Sequence, residues 1–325
     1  MLEVMARGRF KNRWPTFLKI TVIWSICGLT FFCLFKIALW SSSAPVDNNP
    51  NQPTVATDSY TYAEQRSILY AKMAKDLDEK GPVFLKQGET SQSLSLSDLF
   101  TLKSGILTPV LRAADPPVRA NVLHLSTQFS VPISNTVNHT FSPYFDKDFF
   151  LAIWFQDPNI YHFSMFHASH HITPVEAEVR AVKDVADSIC PIHIALNRVV
   201  LTSTGVLLGC WQVVSGVDPV TIRSKLKDAL PRAPQKQLYD DAILHTSFAR
   251  LLGSPKRCTE EEKKMSDIQM FHELVERLNN KIQGMKATVS ELWYVEEYDL
   301  LALALNGKMK IQKFVFQMHE ENWKV

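Results

Sequence analysis

The chain has 325 residues, enough for one large domain or two ordinary ones. Apolar residues make up 46% of it and charged residues 21%, which excludes a chain that is disordered throughout. The 35 basic side chains nearly balance the 33 acidic ones. No general positive field therefore favours nucleic-acid binding, and we expect no DNA partner.

The chain begins with a basic segment and a long apolar run. Residues 1–19 carry Arg7, Arg9, Lys11, Arg13 and Lys19 against a single acidic residue, Glu3. Residues 20–40 contain one charge, Lys36, and as a helix would span about 31 Å, close to the bilayer's hydrocarbon thickness of roughly 30 Å. The flanking positive charge predicts a cytoplasmic tail at 1–19, a transmembrane signal anchor at 20–40 and a lumenal remainder. This topology is that of a single-pass type II membrane protein of the endomembrane system (ER/Golgi).

Two other interpretations of the apolar run are open. A cleaved signal peptide would end at the small residues 42–44, but the run is longer than a usual signal core and Pro45 would follow the cut. A buried helix of a soluble domain would leave the flanking charge unexplained. We therefore expect the chain to contact the membrane through one N-terminal helix.

A polar linker and an accessory region follow the span. Residues 41–58 are rich in serine, proline and asparagine and predict a stalk. Residues 59–145 form an accessory region without an assigned function, with helices predicted over 61–80 and 97–113 and an irregular or weakly stranded continuation. Asn138 begins the only glycosylation triplet of the chain, and we expect it to carry a glycan. Three cysteines after the span leave open either one disulfide or three free thiols: Cys190, Cys210 and Cys258.

One pattern occurs twice in residues 146–325. The first copy predicts strands over 149–155 and 160–166, a helix capped by Thr173 with Glu176, and a hairpin of 193–202 with 206–214. The second copy predicts a strand over 242–252, a helix from Thr259 with Glu262 to Gly284, and strands over 289–295, 300–305 and 309–316. The repeat predicts two α+β lobes related by internal duplication.

Each copy carries a histidine, any residue and then a serine on a predicted strand. These are His162 with Ser164 and His245 with Ser247. Because residues i and i+2 of a strand point to the same face, each imidazole lies beside a hydroxyl. Two facing lobes would join the histidines as an acid–base pair, and the serines would hydrogen-bond a phosphate. Imidazoles titrate near neutral pH, so this chemistry needs no metal or other cofactor.

The two strands resemble the paired motifs of the 2H phosphoesterase superfamily, which includes the RNA ligase/cyclic nucleotide phosphodiesterase-like proteins. Residues 160–166 are similar to its first motif, and residues 244–250 to its second, including the trailing alanine and arginine. The resemblance covers about 146–317. It implies a two-lobed α+β domain with antiparallel sheets lining a central cleft, with His162 and His245 catalytic and Ser164 and Ser247 binding phosphate.

The same resemblance implies the reaction and the partner. The expected activity is hydrolysis of a 2′,3′-cyclic nucleotide or a related phosphodiester by two-histidine acid–base catalysis. The expected partner is a small nucleotide or cyclic phosphodiester, with RNA ends as a further substrate. Thr246 departs from the family pattern, which has an apolar residue at that position.

His167 offers a rival first motif, because Ser169 follows it by two residues. We favour His162, since Phe163 and Met165 then alternate toward the core. The histidines 162, 167, 170 and 171 also suggest a metal site. We disfavour that interpretation, because no carboxylate or cysteine occurs nearby at matching spacing.

Two hypotheses without hydrolysis are open. The same fold could serve as a non-catalytic nucleotide- or phosphate-binding module. The tail, span, stalk and lumenal domain also match a Golgi-type glycosyltransferase, whose carboxylate pair could be Asp76 with Asp78 or Asp146 with Asp148. Both aspartate pairs lie in charged segments typical of solvated surface. The presence of both histidines and both serines favours the hydrolase.

Overall fold

The structure is a computed structural model that describes residues 61–86, 95–103, 106–145, 153–168 and 171–317. The predicted tail, membrane anchor and stalk lie outside these ranges, as do Asp146, Asp148 and His170. Within the described ranges, no helix is both long enough and apolar enough to cross a bilayer.

The described residues form the following helices and strands. The helices are α1 (Tyr62–Lys80), α2 (Val83–Lys86), α3 (Leu96–Leu99), α4 (Thr127–Phe141), α5 (Val175–Asp187), α6 (Pro219–Ala229), α7 (Asp267–Ile282) and α8 (Ala302–Leu305). The strands are β1 (Phe100–Lys103), β2 (Ile106–Pro109), β3 (Ala113–His124), β4 (Ile153–Phe155), β5 (His162–His167), β6 (Ile192–Leu201), β7 (Val206–Ser215), β8 (His245–Leu251), β9 (Lys286–Val289), β10 (Glu291–Asp299) and β11 (Met309–Val315).

Two antiparallel sheets form the centre of the fold. One has the strand order β11-β10-β3-β5 and the other the order β4-β8-β7-β6-β9, while β1 and β2 form a separate ribbon. Each neighbouring pair of strands is antiparallel. The predicted α+β class with antiparallel sheets is confirmed.

The two sheets do not coincide with the two copies of the sequence pattern. The hairpin β6-β7 of the first copy pairs with β8, the motif strand of the second copy. The hairpin β10-β11 of the second copy joins β5, the motif strand of the first copy, through β3. Each sheet therefore combines a motif strand from one copy with a hairpin from the other. The copies are interleaved, which the prediction of two duplicated lobes did not include.

The sheet that carries His162 begins before residue 146. Strand β3 lies in the predicted accessory region, yet it pairs with β10 on one side and β5 on the other. Its residues 120–124 are all buried. Two predictions for this region are wrong. Residues 97–99 end helix α3, residues 100–103 and 106–109 form β1 and β2, where the β-branched Thr101 and Thr108 lie opposite each other, and residues 127–141 form helix α4.

The N-termini of the helices show which of the predicted capping residues cap a helix. Thr61 and Glu64 form a capping box at the start of α1, within the predicted range. The predicted box of Thr259 with Glu262 forms but opens only a short 3₁₀ turn, and α7 begins after it with a box of Ser266 and Gln269. Helix α5 begins after Pro174, which has an extended ψ of 140°, so Thr173 does not cap it.

The segment between β10 and β11 is not the predicted strand over 300–305. Residues 302–305 form the helical turn α8, with Leu301 and Asn306 in the left-handed region at φ 60° and 55°. This connection reaches the other sheet, because Trp154 on β4 donates from Nε1 to the Ala304 carbonyl at 3.1 Å.

Candidate active site

Strand β5 presents the first motif to the cleft between the two sheets. His162 and Ser164 are half-buried and line the cleft, whereas Phe163 and Met165 are buried. This is the alternation predicted for a strand with one face in the core.

A bulge in β5 brings His167 to the same face. Asn121 on β3 pairs with Phe166 and the next residue pairs with Ser164, so Met165 is the extra residue. The register shift turns His167 toward the cleft, which it lines together with His162. The two rival histidines therefore do not exclude each other.

Strand β8 repeats this arrangement in the second motif. His245 and Ser247 are half-buried and line the cleft. Leu207 pairs with Ala249 and the next residue with Ser247, so Phe248 is the bulged residue. The bulge turns Arg250 into the cleft, at the position that His167 occupies in the first motif.

The bulge in β8 requires a glycine on the neighbouring strand. A Cβ atom at Gly209 on β7 would lie 2.2 Å from the Phe248 ring, which is completely buried. The ring thus occupies the space that any other residue at 209 would need. Thr246 is also buried, and its hydroxyl has no partner among the described residues.

The cleft has a volume of about 390 Å³ and receives residues from both sheets. Both predicted histidines and both predicted serines line it. Sequence reasoning did not single out several further polar residues of the lining: Asn121, Gln156, Gln237, Tyr239, Arg250 and Glu297. Of these residues, only Arg250 could have been identified from the sequence, because it is the trailing arginine of the second motif.

His162 is held in one orientation by the backbone. Its Nδ1 lies 2.8 Å from the Ile160 carbonyl, to which a protonated Nδ1 donates, so Nε2 is left to face a ligand. Burial lowers the pKa of His162, and the neighbouring imidazole of His124 lowers it further. His124 lies opposite His162 on β3 and stacks on Trp293 with ring centroids 3.8 Å apart.

His245 lies against Tyr239, whose ring meets the imidazole edge-on at a centroid distance of 4.9 Å. Burial above all, together with the nearby charges of Arg223 and His162, lowers the pKa of His245 to about 4. Both imidazoles line one cleft, and the charge of His162 is one of the causes of the low pKa of His245. For His167, burial alone lowers the pKa.

Arg223 on α6 ties the two motif strands together. Its guanidinium is 5% exposed and donates to the carbonyls of Met165 at 3.2 Å and Ser164 at 2.9 Å in the first motif. It also donates to the carbonyls of Asp241 at 2.6 Å and Ile243 at 2.8 Å, just before His245. One buried cation therefore fixes the separation of the two strands.

A second buried arginine supports the same region from outside the cleft. Arg66 on α1 is 1% exposed and forms a bidentate ion pair with Asp218, at 3.1 Å and 2.7 Å. It also donates to the Ala242 carbonyl at 3.3 Å. Unlike Arg223, Arg66 is in direct contact with a carboxylate.

The residues of the alternative hypotheses lie elsewhere or are already bonded. Asp76 accepts from the Ser203 amide and pairs with Lys80, and Asp78 pairs with His272, so neither lines the cleft. Within the described ranges, no three His, Cys, Asp or Glu side chains converge on a metal position.

The structure also shows the surroundings of the predicted glycosylation site and of the three cysteines. Asn138 is half-buried in α4 and donates to the Ser134 carbonyl at 3.0 Å, so a glycan would have to be attached before this helix packs. Cys190, Cys210 and Cys258 are free thiols.

Comparison with known proteins gave matches only among solved structures. No family model and no curated protein sequence matches the chain. TT0787 from Thermus thermophilus matches with a TM-score of 0.41 and 12% identity, over 61% of this chain and 97% of that one. LigT from E. coli, in complex with 3′-AMP, matches with a TM-score of 0.35 and 10% identity, over 62% and 99%. A phosphoesterase matches with a TM-score of 0.36 and 9% identity, over 62% and 100%.

All three identities are 12% or less, so these matches are likenesses of fold alone. LigT has also been solved with ATP and with NADP+.

Proposed function

We propose that the cleft hydrolyses a cyclic phosphodiester, with His162 and His245 as the acid–base pair. One observation carries this proposal: two bulged strands from different sheets bring equivalent histidine–serine pairs to one cleft. Ser164 and Ser247 lie beside the imidazoles, where their hydroxyls can donate to the oxygens of a bound phosphate.

The reaction needs one proton on the pair of imidazoles. The neutral histidine takes a proton from water as its oxygen attacks phosphorus, and the protonated one gives its proton to the leaving ribose oxygen. The new P–O bond replaces the ring P–O bond, and a cyclic phosphodiester becomes a phosphomonoester. The substrate class follows from the resemblance: a nucleoside 2′,3′-cyclic phosphate, or an RNA end that bears one.

The test is an assay of the full-length chain in detergent micelles, with a chelator present and a panel of cyclic phosphodiesters as substrates. We expect His245→Ala to lower kcat by about 10²–10⁴-fold, and Ser247→Ala to cost about tenfold through lost phosphate hydrogen bonds. The matched control is His193→Ala, because His193 is exposed on β6, bonds Thr288 and does not line the cleft. Binding without turnover would instead assign the cleft to a nucleotide-binding module.

We also propose that residues 20–40 anchor the chain in the membrane of the ER and Golgi, with the cleft in the lumen. The charge of residues 1–19 supports this orientation. In intact microsomes, protease should leave residues 41–325 undigested, and deglycosylation should shift the fragment if Asn138 is modified. Digestion of the C-terminal part would overturn both the orientation and the compartment.

A further inference from the structure

Two residues of the cleft lining each have one side-chain acceptor oxygen that has no donor among the described residues. Glu297 on β10 is 7% exposed and Gln156, just after β4, is 5% exposed, and both line the cleft. Glu297 Oε1 accepts from the Leu303 amide at 2.7 Å, and Gln156 Nε2 donates to the Leu303 carbonyl at 2.6 Å. The two remaining oxygens, Glu297 Oε2 and Gln156 Oε1, are the acceptors without a donor. The two hydrogen bonds to Leu303 thus bring together one acceptor from each sheet.

The position of these acceptors along the cleft follows from the strand register. Ser164 lies opposite Val122 of β3, and Glu297 lies opposite Val118. Four residues of a strand correspond to about 13 Å, and the two strand spacings from β5 to β10 add about 10 Å across the sheet. A ligand whose phosphate lies between the histidines would therefore meet Glu297 and Gln156 with its distal part.

No cation compensates Glu297 within the described residues. Lys310 lies 3.8 Å from the adjacent Glu296, which points to the opposite face of β10. Burial raises the pKa of Glu297 to about 7. A carboxyl oxygen and an amide oxygen that line the cleft without a donor from the described residues can each accept a hydrogen bond from a ligand.

We propose that Glu297 and Gln156 form a subsite for a planar group with two N–H donors, the donor edge of a nucleobase. This inference rests on the proposed function of the cleft. The surrounding lining residues Leu301, Leu303 and Ala304 are apolar and suit the faces of a flat ring. The N1–H and 2-amino group of guanine supply two adjacent donors of this kind, whereas inosine lacks the amino group.

The test is titration calorimetry of the full-length chain with guanosine and inosine 3′-monophosphates, which bind without turnover. At pH 8, above the pKa of Glu297, wild type should bind the guanosine compound about tenfold more tightly, as one hydrogen bond to a charged group predicts. Glu297→Gln should abolish this preference, because its amide oxygen can still hold the Leu303 amide while its NH₂ group meets the ligand donors. Gln156→Ala should reduce the preference. The matched control is Glu296→Gln, which should keep the wild-type preference.

The subsite is overturned if wild type binds both compounds equally, or binds neither, or if Glu297→Gln keeps the wild-type preference. These results are distinct from those that test catalysis. Hydrolysis of cyclic phosphodiesters without regard to the base overturns the subsite and leaves the proposed reaction intact. A guanosine preference that depends on Glu297, in a chain without turnover, supports the subsite and overturns the hydrolase.

Discussion

At the scale of single residues, the chemistry of the cleft depends on how its imidazoles are desolvated. His162 donates from Nδ1 to the Ile160 carbonyl, which leaves its Nε2 free, and the imidazole of His245 packs against the Tyr239 ring. Burial lowers both pKa values; the charge of His124 adds to the effect at His162, and the charges of Arg223 and His162 add to it at His245, whose pKa falls to about 4. The pair therefore takes up its first proton at a more acidic pH than a free imidazole does.

This predicts an acidic optimum for kcat/KM. Catalysis needs the pair to hold one proton, since one histidine acts as acid and the other as base. Above the upper pKa of the pair both imidazoles are neutral, and below the lower one both are charged. Because both pKa values lie below 6.5, we expect kcat/KM to peak below pH 6.5 and to fall toward pH 8. A pH profile from about 3.5 to 9 measures it, and an optimum at pH 8 would contradict the pairing of these two groups.

The choice between His162 and His167 can be tested directly. Both line the cleft, but the pKa of His245 responds to the charge of His162, and His167 occupies the position equivalent to Arg250. His162→Ala should lower kcat by about 10²–10⁴-fold, whereas His167→Ala should change it less than about tenfold. Single-turnover rates of the two variants decide the matter. The reverse order would make His167 the acid or base.

At the scale of elements, helix α6 positions the two motif strands through Arg223. The guanidinium bonds four carbonyl groups in two segments, and no lysine can reach four acceptors in this arrangement. Burial lowers the pKa of Arg223 to about 10, so the group is still charged near neutral pH. That charge in turn lowers the pKa of His245.

Two substitutions separate the geometric and electrostatic effects of Arg223. Arg223→Lys keeps the charge but loses hydrogen bonds, so kcat should fall about 10–100-fold with the pH profile unchanged. Arg223→Met also removes the charge, so the pKa of His245 should rise and the acidic limb of the profile should move to higher pH. Kinetics over pH, with unfolding measured alongside, provide the readout.

The control for Arg223 is Arg66→Lys. Arg66 is similarly buried but in direct contact with the Asp218 carboxylate, and it does not hydrogen-bond β5. This variant should lose stability with little change in kcat or in the profile. An unchanged kcat in Arg223→Lys would show that the strands keep their separation without the four hydrogen bonds.

The motif strands and their neighbours also show how much of the site could be predicted from the sequence. The histidine–serine spacing on a strand is local, so the cleft-facing positions of both motifs were predictable. The bulges at Met165 and Phe248 were not, because they depend on pairing with β3 and β7. Strand β3 gave no alternating pattern, since residues 120–124 are buried on both faces. Arg223 was missed because an arginine on a helix gives no local sign that carbonyl groups surround it.

Helix α4 shows the limit of intrinsic propensity. Its sequence is rich in serine, threonine and asparagine and contains Pro132, which predicts an irregular segment. Packing stabilises the helix instead, because Ile133, Val137 and Phe141 are each at most 1% exposed. Tertiary contacts thus override the local preference, and a single sequence does not reveal them.

At the scale of the whole molecule, the interleaved copies lie within one compact unit, residues 59–325. The His162 sheet needs β10 and β11 from the C-terminal part, and the His245 sheet needs β6 and β7 from the N-terminal part. The connection crosses between the copies after α6, through residues 231–244, from which Gln237 accepts the His167 amide at 2.8 Å. Neither copy holds a complete sheet, although the sequence pattern alone presents each as a unit.

This predicts that the two copies do not fold apart. A fragment of residues 59–230 would expose the edges of β3 and β7 that β10 and β8 cover, and a fragment of 231–325 would hold β8 and the β10-β11 hairpin without their partners. Each fragment alone should therefore show no cooperative unfolding transition by circular dichroism and should aggregate. When the two fragments are co-expressed, they should associate, because together they contain every strand of both sheets. The control is a circular permutant in which a flexible linker joins residue 325 to residue 59 and the chain opens at residue 236. This permutant keeps every strand in one chain. A cooperative transition in either fragment by itself would show that one copy is sufficient for folding.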